Sequence, residues 1–167
     1  MSPAQFAIEP LRRDHERASF RCGSDTLDEY LVRYARQNAE AGVGRTFVAV
    51  APPSTRIVGF YSLAASSIRF SSVPVALKKR LPRYPIPSIL LARLATDVTV
   101  RGLGLGAALL VDAGRRAARL SEQAGVRFLE VEAIDEPARA FYRKHGATSL
   151  LDDEDHLVFD IRLFSAA

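Results

Sequence analysis

Three glycines at alternate positions, Gly102, Gly104 and Gly106, follow Arg101 and run directly into an amphipathic stretch, "VRGLGLGAALLVDAGRRAARL". A strand that feeds such a turn and then a helix suits the capture of a phosphate group. The free N–H groups of a helix's first turn point outward, and the helix dipole adds partial positive charge there. Glycine lets the backbone approach a bulky anion without Cβ interference, and Arg101 can add a charged hydrogen bond. An ordinary strand–helix turn would show the same pattern. The dinucleotide fingerprint needs G-x-G-x-x-G early in a βαβ unit, whereas this loop follows about four strands. A triphosphate loop needs G-x-x-x-x-G-K-S/T, and the chain contains no Lys-Ser or Lys-Thr pair.

Other reactive side chains are sparse. Cys22 is the single cysteine, which rules out an internal disulfide and is compatible with a reducing compartment. No histidine stands near it in sequence, so packing is its expected role, and His15 is expected at the surface. His15, His145 and His156 show no metal-ligand spacing. Arg93 lies within an apolar strand and needs a partner or a wet cleft. Asp97, four residues on, is one candidate partner.

The elements that must position these residues can be read from periodicity. Phe6 to Leu11 reads as a first strand. Ser24 or Asp25 caps a helix with Leu27, Tyr30, Leu31, Tyr34 and Ala35 on one face, ended by Gly42 and Gly44. "RTFVAVAP" and "RIVGFYSLAASSIRF" form a hairpin, and "VPVALKKRLPRYPIP" a short helix and loop. "SILLARLATDVTV" is a buried strand leading to the glycine loop. In the next helix the apolar stripe runs from Gly106 through Leu109, Leu110, Ala113, Ala117 and Leu120 to Ala124. "VRFLEVEA" alternates as a strand, with Leu129, Val131 and Ala133 on one face and Phe128, Glu130 and Glu132 on the other. Asp135 to His145 suits a helix, with Pro137 in its first turn and Gly146 past its end. "ATSLL" and "HLVFDIRLF" are the last strands. The order β-α-β-β-β-α-β-α-β-β predicts an α/β layer with helices on a central sheet.

The 167 residues suit one domain, 1–167, with no repeat or linker. No membrane span or secretion signal is visible: the longest uncharged stretch, Ile57 to Ile68, holds three serines and falls short of the ~20 residues required. A soluble cytoplasmic protein is expected. Lys and Arg number 23 against 19 acidic residues, a modest excess that favours encounter with polyanions without dictating fold.

The spacing Arg-x-x-Gly-x-Gly at Arg101, Gly104 and Gly106 resembles the pyrophosphate motif of the GNAT acetyltransferases. "RLATDVTV" looks like that family's splayed fourth strand, and "PARAFYRKHGA" resembles its A-x-x-F-Y-x-x-x-G-F helix and turn. The resemblance implies a GNAT fold: a mixed, mostly antiparallel sheet flanked by helices, with a splayed strand that holds acetyl-CoA. It implies backbone contacts to the cofactor from Leu94, Ala95, Thr96 and Asp97. The pyrophosphate would rest on Arg101, Leu103, Gly104, Leu105, Gly106 and Ala107. An amine would attack the thioester through a tetrahedral intermediate, with no metal. Tyr142 becomes the candidate acid for the departing thiolate. Phe141 and Tyr142 point about 100° apart on a helix, and Phe141 suits the core. Where many members carry asparagine, this chain has Asp135, for which helix capping is a sufficient role. The general base stays open among Glu130, Glu132, Asp97, a water, or none.

Four further blocks narrow the resemblance to the toxin branch, of the TacT and AtaT type. They are the F-x-C-G-x-x-x-L-D motif at Phe20 to Asp28, "IVGFYSLAASSI", the Tyr-Pro-Ile-Pro segment at 84–87, and R-L-A-x-D at Arg93 to Asp97. That branch implies acetylation of the α-amine of aminoacyl-tRNA, which blocks translation, and control by a ribbon-helix-helix antitoxin. It also implies a homodimer, and operator DNA only through the antitoxin complex. Phosphate contacts would then come from Lys78, Lys79, Arg80, Arg83 and Arg36, with Arg93 open between substrate and structure. The rival readings are acetylation of a small amine or a protein N-terminus, and a co-repressor role with an antitoxin on DNA.

Overall fold

A computed structural model describes residues 5–165. Its strands are β1 (Ala7–Pro10), β2 (Arg45–Val50), β3 (Gly59–Ile68), β4 (Ile86–Thr96), β5 (Phe128–Glu132), β6 (Thr148–Ser149) and β7 (His156–Asp160). In the sheet they follow the order β1-β2-β3-β4-β5-β7-β6. The β4–β5 pair is parallel, while β1–β2, β2–β3, β5–β7 and β6–β7 are antiparallel. This is the mixed, mostly antiparallel sheet that the family resemblance implies. The chain divides into two compact units: residues up to Ala64 with Ala92–Ala113, and Ala65–Leu91 with Gly114 onward. β3 and β4 each supply residues to both.

In the first unit, β2 pairs with β1 (Ala7↔Val50 to Pro10↔Phe47) and with β3 (Arg45↔Leu63 to Ala49↔Gly59). Phe20, Leu31, Val48, Ile57 and Phe60 are fully buried together, each worth about 1.5–3 kcal/mol over leaving it exposed. Ser24 accepts the N–H of Leu27 at 3.3 Å and caps α1 (Asp25–Glu29). A π-turn at Tyr30–Tyr34 then joins α1 to α2 (Ala35–Glu40), the N–H of Ala35 reaching back to the carbonyl of Tyr30. With that extra residue Ala35 stays on the buried face, while Tyr34 turns out, 45% exposed. The even helical spacing predicted for Tyr34 fails for this reason. His15, expected at the surface, is buried: its Nε2 meets Glu9 Oε1 at 2.7 Å and its Nδ1 accepts the N–H of Arg12.

The helix after the glycine loop is α3 (Leu105–Leu120). It stops before Ala124, because the N–H groups of Glu122, Gln123 and Ala124 close tight turns onto Arg119 and Leu120. In the second unit Phe128 to Val131 of β5 are all buried, with Ile68, Val73, Ile86, Leu150 and Val158 packed around Phe128. Asp135 accepts the N–H of Ala138 at 2.8 Å and caps α4 (Glu136–Lys144), which Gly146 terminates at φ +106°. The last two predicted strands are shorter than expected. β7 ends at Asp160, whose carboxylate accepts the N–H of Arg162 and starts a 3-10 turn over Ile161–Phe164.

Candidate active site

The glycine loop has the form of an anion cradle. Gly102 and Gly104 both sit at φ +80°, a conformation side chains rarely adopt. The carbonyl of Gly104 accepts the N–H of Ala108 at 3.1 Å, so the N–H groups of Leu105, Gly106 and Ala107 precede the first intrahelical bond. Leu105 is buried and anchors the start of α3, while Leu103, Gly106 and Ala107 are half-buried and Gly104 is exposed. A Cβ at Gly102 would meet nothing within 4 Å. The space beside the loop is open to a bulky group, and the donors are backbone N–H groups and a guanidinium. These residues fit a pyrophosphate.

Arg101 is exposed, and its Nη2 donates to the carbonyl of Cys22 at 2.7 Å. Asp97, at the end of β4, is 1% exposed. It accepts the N–H of Arg21 at 2.9 Å, the N–H of Thr99 at 3.0 Å and the hydroxyl of Thr99 at 2.7 Å, and Arg56 lies 3.4 Å away. Burial pushes its carboxyl upward, but these donors and the Arg56 charge outweigh burial and hold it below the usual carboxylate value. A carboxylate so committed is a structural pin, which removes Asp97 from the open set of bases. It also does not pair with Arg93.

The N–H of Asp97 is itself spent on the carbonyl of Val58 at 2.8 Å, correcting the expectation that it faces the cofactor. Alternation along the strand then turns the N–H groups of Thr96 and Leu94 away from β3, and that of Ala95 toward it. The β4–β5 pairs run from Ser88↔Phe128 to Leu91↔Val131, and β4 continues five residues beyond, to Thr96. Arg93, half-buried, lays its guanidinium 3.6 Å from the centre of the Tyr30 ring.

Tyr142 is 7% exposed, and burial alone pushes its phenol up to about 12. The sequence placed Phe141 in the core and left Tyr142 to reach the cofactor's sulfur. The burial is the reverse, with Phe141 half-buried, and the two rings meet edge-on at 5.4 Å. Phe141 also packs on His145 at 4.6 Å, and Tyr142 on Phe159 at 6.3 Å. Glu130 is buried and pairs with His156 across the β5–β7 ladder, while its Oε1 has no hydrogen-bond partner. Glu132 is exposed, and its carboxylate, that of Glu130 and the His156 ring offer ligand atoms within 4.8 Å of one another. The separation of 26 residues between Glu130 and His156 hid this grouping in the sequence.

The basic residues fall into separate groups. Lys79, Arg80 and Arg83 are exposed, and Lys78 lies over the Phe70 ring at 4.8 Å. Lys79 and Arg80 line a groove of about 720 Å³ with Arg127 and Arg162, two cations the sequence reading missed. Both of the latter pair with Asp160, at 3.0 and 2.8 Å. Arg36 lies in another groove, with Arg13 and Arg45, and pairs with Glu40 at 3.5 Å.

Residues 42–146 match the acetyltransferase (GNAT) domain family. The chain belongs to the GNAT acetyltransferases. It is 40% identical over 124 residues to the tRNA-acetylating toxin of Mycobacterium tuberculosis (strain ATCC 25618 / H37Rv), spanning 74% of this chain and 73% of that protein. The structure of AtaT complexed with acetyl-methionyl-tRNAfMet matches with a TM-score of 0.89 at 28% identity, over 94% and 95% of the two chains. A tyrosine-to-phenylalanine mutant of AtaT, bound to the C-terminus of the antitoxin AtaR and acetyl-CoA, matches with a TM-score of 0.80 at 27% identity, over 95% of each. Among the described residues no helix is long and apolar enough to cross a membrane.

Proposed function

We propose that this chain is an acetyl-CoA-dependent N-acetyltransferase that acylates the α-amino group of aminoacyl-tRNA and thereby arrests translation. The observation that carries the reading is the cradle: two glycines at φ +80° in the loop that leads from β4 into the 16-residue helix α3. The 40% identical relative is a tRNA-acetylating toxin, and AtaT binds an acetylated aminoacyl-tRNA. Both support the substrate class.

Acetyl-CoA, when bound, supplies an acetyl thioester. The N–H groups of Leu105, Gly106 and Ala107, with Arg101, hold its pyrophosphate. The backbone of Leu94 and Thr96 orients the pantetheine arm and polarises the carbonyl. Tyr142 is the acid in this scheme. A phenol near 12 stays protonated at neutral pH, so it donates a hydrogen bond to the sulfur as the C–S bond breaks. The proton shed by the newly acylated amine ends on the departing thiol, leaving the phenol protonated. An ester-linked α-amine is less basic than a lysine, so no strong protein base is needed. Lys78, Lys79, Arg80, Arg83 and Arg36 supply cations for the acceptor-stem phosphates, and Arg93 stays primarily a partner of Tyr30.

The 167 residues act as one catalytic domain in the cytoplasm, paired as a homodimer and neutralised by a ribbon-helix-helix antitoxin. Binding of the antitoxin AtaR by AtaT supports such a partner. The test is transfer of radiolabelled acetyl from acetyl-CoA to bulk charged tRNA, with deacylated tRNA beside it. Label confined to the charged pool is the expected result. Label on neither pool, with acetyl-CoA bound, would remove aminoacyl-tRNA as the acceptor.

A further inference from the structure

The segment Arg21 to Ser24 carries no reactive role in the scheme above, yet hydrogen bonds tie it down on both sides. On one side the N–H of Arg21 donates to buried Asp97 and its carbonyl accepts the N–H of Val98 at 2.8 Å. On the other, the N–H of Cys22 donates to Asp28 Oδ1 at 3.0 Å, and Ser24 caps α1. Between these anchors the Cys22 carbonyl is a fixed acceptor, and it accepts Nη2 of Arg101 from 79 positions away. Gly23 follows at φ +94°, and a Cβ there would lie 2.8 Å from that same Nη2.

We propose that the Cys22–Gly23 turn positions Arg101 for the pyrophosphate of the acyl donor. The inference rests on the acetyl-CoA reading of the glycine loop. A guanidinium carries five N–H donors in a rigid plane, so one bond to Cys22 leaves donors for phosphate oxygens. Holding a long side chain in place beforehand removes an ordering cost from binding. Gly23 serves twice: its backbone adopts the left-handed turn, and its missing Cβ leaves room for the guanidinium. Gly23 and Cys22 are positioning residues that act through Arg101.

The test is a cycle of Gly23→Ala, Arg101→Ala and the double variant, read by calorimetric binding of CoA and by melting temperature. Gly23→Ala is expected to weaken CoA about tenfold, the loss of roughly one charge-assisted hydrogen bond. Arg101→Ala should weaken it at least as much, and the double variant no further than Arg101→Ala alone. Arg101→Lys keeps the charge without the fork and should also lose affinity. With S-acetyl-pantetheine as donor, which lacks the pyrophosphate, the ratio of Gly23→Ala to wild-type kcat/KM should approach one. Losses that add in the double variant, or an equal penalty with S-acetyl-pantetheine, would overturn the proposal. Should Gly23→Ala fail to fold, Gly23→Asn tolerates the left-handed backbone while keeping the collision, and takes its place in the cycle. Failure of the wild-type protein to bind CoA would instead count against the acetyl-CoA reading itself.

Discussion

The carboxylate of Asp97 accepts the main-chain N–H of Arg21 at 2.9 Å across 76 positions of sequence. With Thr99 and Arg56 also engaged, it joins the end of β4 to the segment that holds Arg101. Asp97→Ala would leave buried donors unpaired and should cost about 3 kcal/mol in urea unfolding. The folded carboxyl titrates below its unfolded value of ~3.9. Between those two values the unfolded state binds more protons, so stability rises with pH. The contribution is complete above about pH 4 and fades as pH falls through the lowered folded value. Wild-type protein should therefore lose stability below pH ~4 more steeply than Asp97→Asn. Equal acid profiles would show that Asp97 is not held as argued.

Tyr142→Phe keeps the edge-on packing on Phe141 and Phe159 and removes only the hydroxyl. CoA binding should stay within about twofold, while kcat falls by roughly 10²–10³. An unchanged kcat would end the assignment of the acid. The phenol titrates at about 12 when folded, above its unfolded value near 10. Its burial therefore contributes stability below pH ~10 that is lost as pH rises toward the folded value. Urea melts at pH 9, 10 and 11 should show wild type declining relative to Tyr142→Phe by up to about 1.4 kcal/mol per pH unit.

Burial, followed by the neighbouring Asp28 carboxylate, pushes the Cys22 thiol up to about 11. Little thiolate then exists at pH 8, and the thiolate is the reactive form. Because Cys22 is the single cysteine, a thiol reagent reports on it directly. Its labelling rate in native protein should be at least about tenfold slower than in urea-unfolded protein. Comparable rates would mean the thiol is neither buried nor raised.

Exposed cations that meet phosphate should appear in the salt dependence of binding. Replacing Lys79, Arg80 and Arg83 together by alanine should flatten the slope of log affinity for charged tRNA against log salt by about 2–3. Arg162→Ala should change that slope less, because Asp160 already balances Arg162 at 2.8 Å. A slope untouched by the triple substitution would place the tRNA backbone elsewhere.

The sequence by itself determined the element order, the cap at Asp135, a cap at Ser24 or Asp25 that the structure places on Ser24, the stop at Gly146 and the glycine cradle between β4 and α3. These depend on periodicity, capping chemistry and left-handed turns, all interactions within a few residues. The motif resemblance added Tyr142 and the pyrophosphate loop. Tertiary structure alone decided that Asp97 pins Arg21 rather than pairing with Arg93, and that Arg93 rests on Tyr30. It also decided that Glu130 meets His156, that Arg127 and Arg162 share a groove with Lys79, and that Arg101 reaches Cys22. Each of those pairings joins residues tens of positions apart. A side chain's partner there depends on which strands and loops the fold brings together, and local spacing carries no record of it. The π-turn at Tyr30–Tyr34 shows the same limit at short range, where one extra residue in a turn left Ala35 buried and Tyr34 exposed.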